Sequence, residues 1–313
     1  MPNRLILDTD GGVDDAQALL MLLAAGRAPD AITTVFGNVD LEAATRNILT
    51  VLAVADAARI PVHRGAARAL VNPPVAAREI HGADGLGGAP RPALLPQPAG
   101  GDAVQFLINA LRTAISGGWK VDLLMIGPLT NLALALRQAP DCAPGVGRLV
   151  IMGGTIDGRG NVTPAAEFNI YADPEAAQIV LTAGLETVMV PWESCADHRM
   201  PADRVAALFA AAPDGASTRF SAALSAHAMA VIKGFTGKEY FRFVDPLAAA
   251  VMIDPSVVTE SLRASLEVSL APGLTRGMVV VDPSGRLGTP AVTLVRRADL
   301  ERVIALYAAS VCA

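Results

Sequence analysis

Aromatic side chains are scarce in this chain, at 4% of 313 residues, and cysteine is scarcer, with only Cys142, Cys195 and Cys312. Three thiols so far apart form neither a metal knuckle nor a disulfide framework, so a reducing compartment, the cytoplasm, is expected. No uncharged apolar run reaches the roughly 18 residues of a membrane span, and no apolar leader follows Met1, so neither a membrane partner nor secretion is expected. Lys/Arg runs are missing too, and 25 basic against 30 acidic residues leave a net charge of −5. That balance gives no electrostatic footprint for nucleic acid. Charged residues, at 18%, are too few for a disordered chain. What is abundant is aliphatic: hydrophobic residues make up 52%. A chain of this length and composition builds a large core without disulfides or a structural metal.

Strand-like and helix-like segments alternate up to about residue 190. Leu5–Leu7, Ala31–Val35, Pro61–His63, Val121–Ile126, Leu149–Met152 and Thr187–Val190 are short, apolar or β-branched, and bounded by turns. Between them, Asp14–Ala25, Leu41–Ala57, Leu129–Arg137 and Pro174–Ala183 carry helical spacing, the last opening on Asp173 as N-cap and Pro174. Continuous apolar strands joined by helices predict an α/β fold: an open, mostly parallel sheet covered by helices on both faces. After Pro191 the pattern changes. Two helices are expected over residues 200–232 and another over Pro246–Met252. Short antiparallel strands follow at Ser265–Leu270, Met278–Val281 and Ala291–Val295, then a last helix from Ala298. The Pro/Gly/Ala-rich stretch from Arg68 to Gly100 is too long for a plain connection, and such loops tend to carry function. With no linker and no repeat, residues 1–313 read as one domain.

The densest chemical signal is Leu7-Asp8-Thr9-Asp10-Gly11-Gly12-Val13-Asp14-Asp15. It sets four carboxylates at the C-terminal end of the first strand, the end where open α/β sheets bind ligands. A helix cap needs one acid, not four. The mutual repulsion is relieved by a divalent cation, and hard oxygen donors suit Ca²⁺ or Mg²⁺. Gly11 and Gly12 allow the tight turn that converges the acids.

Two enzyme families open with comparable strings. The haloacid-dehalogenase-like phosphatases match only loosely, and no second Asp-Asp follows Asp15 to supply their later acidic pair. The nucleoside hydrolases open with Asp-x-Asp-Pro-Gly-x-Asp-Asp, which Asp8 to Asp15 resembles closely, with Gly11 where Pro is usual. Further motifs follow in that family's order. They are Gly37-Asn38, His81-Gly82-Ala83-Asp84-Gly85-Leu86-Gly87, Gly127-Pro128-Leu129-Thr130-Asn131, Met152-Gly153-Gly154, Gly160-Asn161, Glu167 to Glu175, Asp245-Pro246 and Thr275-Arg276-Gly277. Each is weak alone; together, from residue 5 to about 300, they identify a resemblance to the inosine–uridine nucleoside N-ribohydrolases.

That resemblance implies a Ca²⁺-dependent enzyme that hydrolyses a small-molecule ribonucleoside to ribose and free base, assembled as a homodimer or homotetramer. Asp10, Asp15, Asp245 and the carbonyl of Ile126 would ligate Ca²⁺, and Asp10 would also take the proton of the attacking water. Asp14, Asn38, Asn161, Glu167 and Asn169 would surround the ribose, with His81 in the mouth loop. Taken singly, these residues have blander readings: Asp245 as a helix cap, Asn38 and Asn161 as turn residues, Glu167 and Asn169 as a solvent-facing strand edge. Val244 stands where part of the family has a His that protonates the departing base. A replacement acid is expected from residues 227–240, His227 or Tyr240. If there is none, a non-catalytic nucleoside- or ribose-binding protein is the alternative, with a phosphatase behind it.

Overall fold

Six strands alternate with helices up to Val190: β1 (Arg4–Thr9), β2 (Ala31–Thr34), β3 (Val62–Arg64), β4 (Val121–Met125), β5 (Val146–Met152) and β6 (Glu186–Val190). A small ribbon, β7 (Arg199–Pro201) with β8 (Tyr240–Arg242), comes next, followed by β9 (Val258–Val268), β10 (Val279–Asp282) and β11 (Ala291–Ala298). The computed structural model in which they are seen describes residues 3–312. Met1, Pro2 and Ala313, part of the expected domain, lie outside the described residues.

Nine strands form one sheet in the order β10-β9-β11-β6-β5-β4-β1-β2-β3. Strands β1 to β6 are parallel to their neighbours, and β11 is parallel to β6. β9 runs antiparallel to β11, and β10 antiparallel to β9. The three late strands therefore extend the main sheet, and β9 is longer than its apolar pattern suggests because its first half is exposed. The β7–β8 ribbon has no counterpart in the periodicity, since three-residue strands carry too little of it.

Alternation sorts the side chains into two cores. Leu5, Leu7, Leu124, Val150 and Met152 pack with the helices Val13–Ala24, Asp245–Ile253 and Leu300–Val311. Ile6, Leu123, Met125, Leu149 and Ile151 pack on the other face with Ala103–Gly117, Thr130–Gln138 and Pro174–Leu181. Burial on both faces is why these strands read as continuous apolar runs. Chain order reverses between β1 and β4, which lie side by side: β2 and β3 continue on one side of β1, β5 and β6 beyond β4 on the other. A reversal of this kind leaves a crevice beyond the carboxyl ends of the two central strands. Asp10 and Ile126 both sit there, each one residue past its strand.

Candidate active site

At the end of β1 the backbone turns through Gly11, at φ +70°, a conformation closed to proline. The Pro usual at this position in the resembling family would not fit this turn. A helix then starts at Val13, and Asp15 caps it: its Oδ2 accepts from the Gly12 N–H at 2.8 Å and its Oδ1 from the Asp10 N–H at 3.2 Å, with the Thr9 hydroxyl donating to the same Oδ1. Asp10 faces Asn38, whose backbone N–H and Nδ2 each donate to one of its oxygens at 2.8 Å. The same Nδ2 reaches Asp15 Oδ2 at 3.1 Å, so Asn38 ties two acids together.

Asp245, at the start of its helix and 2% exposed, joins them from more than two hundred residues away. One carboxylate oxygen from each of Asp14, Asp15 and Asp245 lies within 4.8 Å of the others. Asp14 Oδ1 is buried without a hydrogen-bond partner. Burial pushes Asp14 up to about 6, and burial with repulsion from neighbouring acids pushes Asp10 and Asp245 well above the ordinary carboxylate range. Crowded, desolvated acids with an orphaned oxygen are what a hard divalent cation relieves, so the donor set fits such an ion. Asp10 is buried beside this triad, with each oxygen accepting a bond from Asn38. The Ile126 carbonyl accepts from Asn169 Nδ2 at 3.2 Å.

Asn169 and Glu167 are not on a strand edge. Glu167 caps the short helix Phe168–Ala172, accepting from the N–H groups of Asn169 and Gly154 at 2.9 Å and of Ile170 at 3.2 Å. Their two-residue spacing is that of a cap and its first turn, so both are buried instead of solvent-facing. Even with three donors, burial pushes Glu167 up to about 7. Asn169 also donates to the Met152 carbonyl at 3.1 Å, bridging the ends of β4 and β5. Asn161 Oδ1 accepts from the Phe168 N–H at 2.9 Å. His81 Nδ1 accepts from the Val13 N–H at 3.1 Å, which requires the ring's own proton on Nε2, and burial pulls its pKa down to about 4.

A cavity of about 530 Å³ opens beside these groups; Asp10 and Asp15, both fully buried, are not part of its lining. Asp14, Asn38, His81, Asn161, Glu167, Asn169 and Asp245 are among the residues that line it. Ile80, Trp192, Val231, Ile232, Phe235 and Val244 supply apolar wall, and Arg242 lies among them. Two expected residues are not brought in. The His227 ring sits over Gly87, with Nε2 at 2.9 Å from the Ile80 carbonyl, and does not line the cavity. Tyr240 lies on β8; its hydroxyl accepts from Arg242 Nη2 at 2.9 Å, and its ring lies under the guanidinium groups of Arg199 and Arg242, off the cavity wall. Arg242 is the residue that sequence reasoning missed; Trp192, for which the sequence offers no role beyond wall or interface packing, does line the wall. A lone Arg in the apolar run Tyr240-Phe241-Arg242-Phe243-Val244, just before Asp245, was the available signal.

Residues 5–305 match the profile of the family described as inosine-uridine preferring nucleoside hydrolase. The chain is 39% identical over 289 residues to the non-specific ribonucleoside hydrolase RihC of Escherichia coli O6:H1, covering 92% of this chain and 90% of that protein. Among solved structures, a plant nucleoside hydrolase, the PpNRh1 enzyme, superposes with a TM-score of 0.91 at 30% identity over 100% of both chains. An inosine-guanosine nucleoside hydrolase does so at 0.89 with 29% identity, over 99% of each.

Proposed function

Because this chain belongs to the inosine-uridine preferring nucleoside hydrolases, and so is a ribonucleoside N-ribohydrolase, we propose that it works with one Ca²⁺ held by Asp10, Asp15, Asp245 and the Ile126 carbonyl. The observation that carries the reading is the convergence of the Asp14, Asp15 and Asp245 carboxylates at a cavity that Asp14 and Asp245 line together with Asn169 and Glu167. Calcium suits a site built of carboxylates and a carbonyl, because it accepts six to eight oxygens in loose geometry. When bound, it supplies the charge that orients ribose hydroxyls and makes a nearby water acidic.

The chain's own groups do the rest. Asp10 takes the proton of the attacking water; each of its oxygens keeps a second lone pair beyond its bond to Asn38. Asp14 accepts from the ribose hydroxyls, with Asn161 and Asn169 lining the same cavity. As the glycosidic bond breaks, the ribose gains positive charge, and the surrounding carboxylates stabilise that state more than the neutral substrate. The apolar wall of Ile80, Trp192, Val231, Ile232 and Phe235 receives the base and keeps water from it.

Residues 1–313 act as a single catalytic domain on this reading, in a cytoplasmic homodimer or homotetramer. Among the described residues no helix is long and apolar enough to cross a membrane. The test is reducing-sugar release from common ribonucleosides with Ca²⁺, then with chelator. Ribose release that stops on chelation and returns with Ca²⁺ supports the proposal; undiminished release in chelator overturns the metal's part in it.

A further inference from the structure

Arg242 is the only Arg or Lys among the described residues that line the cavity. Its position follows from alternation along the chain entering the Asp245 helix. Phe241 and Phe243 are fully buried in the core, against Tyr307. Arg242 and Val244, one step out of phase, face the cavity. The residue that replaces the family's His and the cation two positions before it therefore line the same wall.

The side chain is held without being neutralised. Its Cζ lies 4.8 Å from the centroid of the Trp192 ring and 5.7 Å from that of Tyr240, and Nη2 donates to the Tyr240 hydroxyl. Aromatic faces attract a guanidinium and fix its plane without cancelling its charge. No ion pair involves Arg242 among the described residues. Its Nε is buried with no hydrogen-bond partner. A cation so placed, in a cavity whose other charged groups are acids, has unused donors and unused charge. A role confined to pinning Trp192 and Tyr240 accounts for neither.

We propose that Arg242 is the catalytic residue that meets the departing nucleobase and stabilises it as an anion. The inference rests on the hydrolase reading of this cavity, with the ribose beside Asp14 and Asn169. When the bond between C1′ and the base nitrogen breaks, its electron pair stays with the base. Oxygen from water bonds to C1′, and the water's proton passes to Asp10. The base leaves with negative charge spread over its ring nitrogens and carbonyl oxygens, and takes its proton from solvent afterwards, so nucleoside plus water gives ribose plus neutral base. A guanidinium does not give up a proton near neutral pH. Arg242 therefore acts as a fixed cation and hydrogen-bond donor in a poorly solvated wall, which is where such groups are strongest. Trp192 and Tyr240 are positioning residues: they hold the cation at the base end and off the carboxylates.

The experiment compares uridine and inosine with 4-nitrophenyl riboside, whose leaving group departs as a stable anion unaided. Replacing Arg242→Met is expected to lower kcat on the nucleosides by about 10²–10³-fold, the usual cost of losing one such donor, while the nitrophenyl compound keeps its rate to within a few-fold. Arg242→Lys, which keeps the charge and loses the planar fork, is expected to fall between. Equal losses on both kinds of substrate, or no loss on either, would overturn the proposal. A wild-type measurement stands apart from any misfolding of the variants. Across nucleosides with bases of increasing N–H acidity, kcat should rise steeply, because no proton is supplied in the step; a flat dependence would overturn the proposal as well. Wild-type turnover of the nitrophenyl compound tests the hydrolase reading separately, since it needs nothing from Arg242.

Discussion

Replacing Asn38 by alanine removes a neutral side chain that bonds two of the acids at once. Its Nδ2 donates at 2.8 Å to Asp10 and at 3.1 Å to Asp15, and the residue is 7% exposed, so water does not replace it freely. Hydrogen bonds contribute about 0.5–1.5 kcal/mol each between neutral groups and about 1.5–3 kcal/mol to ionised ones, so losing two at this pair of crowded acids costs about 1–6 kcal/mol. The backbone N–H of residue 38 still donates to Asp10, which keeps that acid oriented. For a chain of 313 residues the unfolding entropy turns this loss into a drop of about 2–9 °C in Tm. Calorimetry at neutral pH, in chelator, measures it directly. Ca²⁺ should then narrow the gap, because the ion takes over the screening of Asp10 from Asp15. A shift below about 2 °C would refute the reasoning, since the acids would then be held apart by something other than Asn38.

Gly12→Ala should abolish turnover while the fold survives: a Cβ there would stand 2.5 Å from Asn38 Nδ2 and 2.6 Å from His81 Nδ1, and circular dichroism beside a ribose assay shows whether only the site is lost. Burial pushes Asp8 up to about 7 from 3.8, so the folded chain holds that proton where the unfolded chain has released it. Its contribution to stability is therefore full below about pH 4 and is lost as the pH rises through 7, and Asp8→Asn should flatten Tm against pH over that window in chelator. A 2′-deoxynucleoside should turn over slower in kcat/KM by about 10³-fold or more, since buried groups built for the missing hydroxyl stay unpaired. His227→Ala should keep nucleoside turnover, because the ring lies over Gly87 outside the cavity; a selective loss on nucleosides would restore His227 as the acid.

The parallel core was legible because its strands are buried on both faces and bounded by turns; β1, β4 and β5 stand within a few residues of their apolar runs. Asp173 was readable as a cap from its neighbour Pro174, and its carboxylate does accept from the Ala176 N–H. Glu167 was not, because no apolar period follows it within a five-residue helix. The acids at 8–15 announced themselves by density, but the partner Asp245 was found only through resemblance, since no local pattern links it to them. Least legible was the base end. Trp192 and Arg242 meet across fifty residues of sequence, and the rings that hold the guanidinium lie on separate elements. Tyr240 and His227 misled for the same reason: residue type and nearness in sequence to Val244 say nothing about which way a side chain turns.

The most direct test of the account is calorimetric titration of the chelator-treated chain with Ca²⁺, beside Asp245→Asn and Asp15→Asn. The carboxylates that converge here predict one saturable site per chain in the wild type and its loss in both variants, with the variants still folded. No Ca²⁺ binding to the wild-type chain, or binding that both variants retain unchanged, would contradict it.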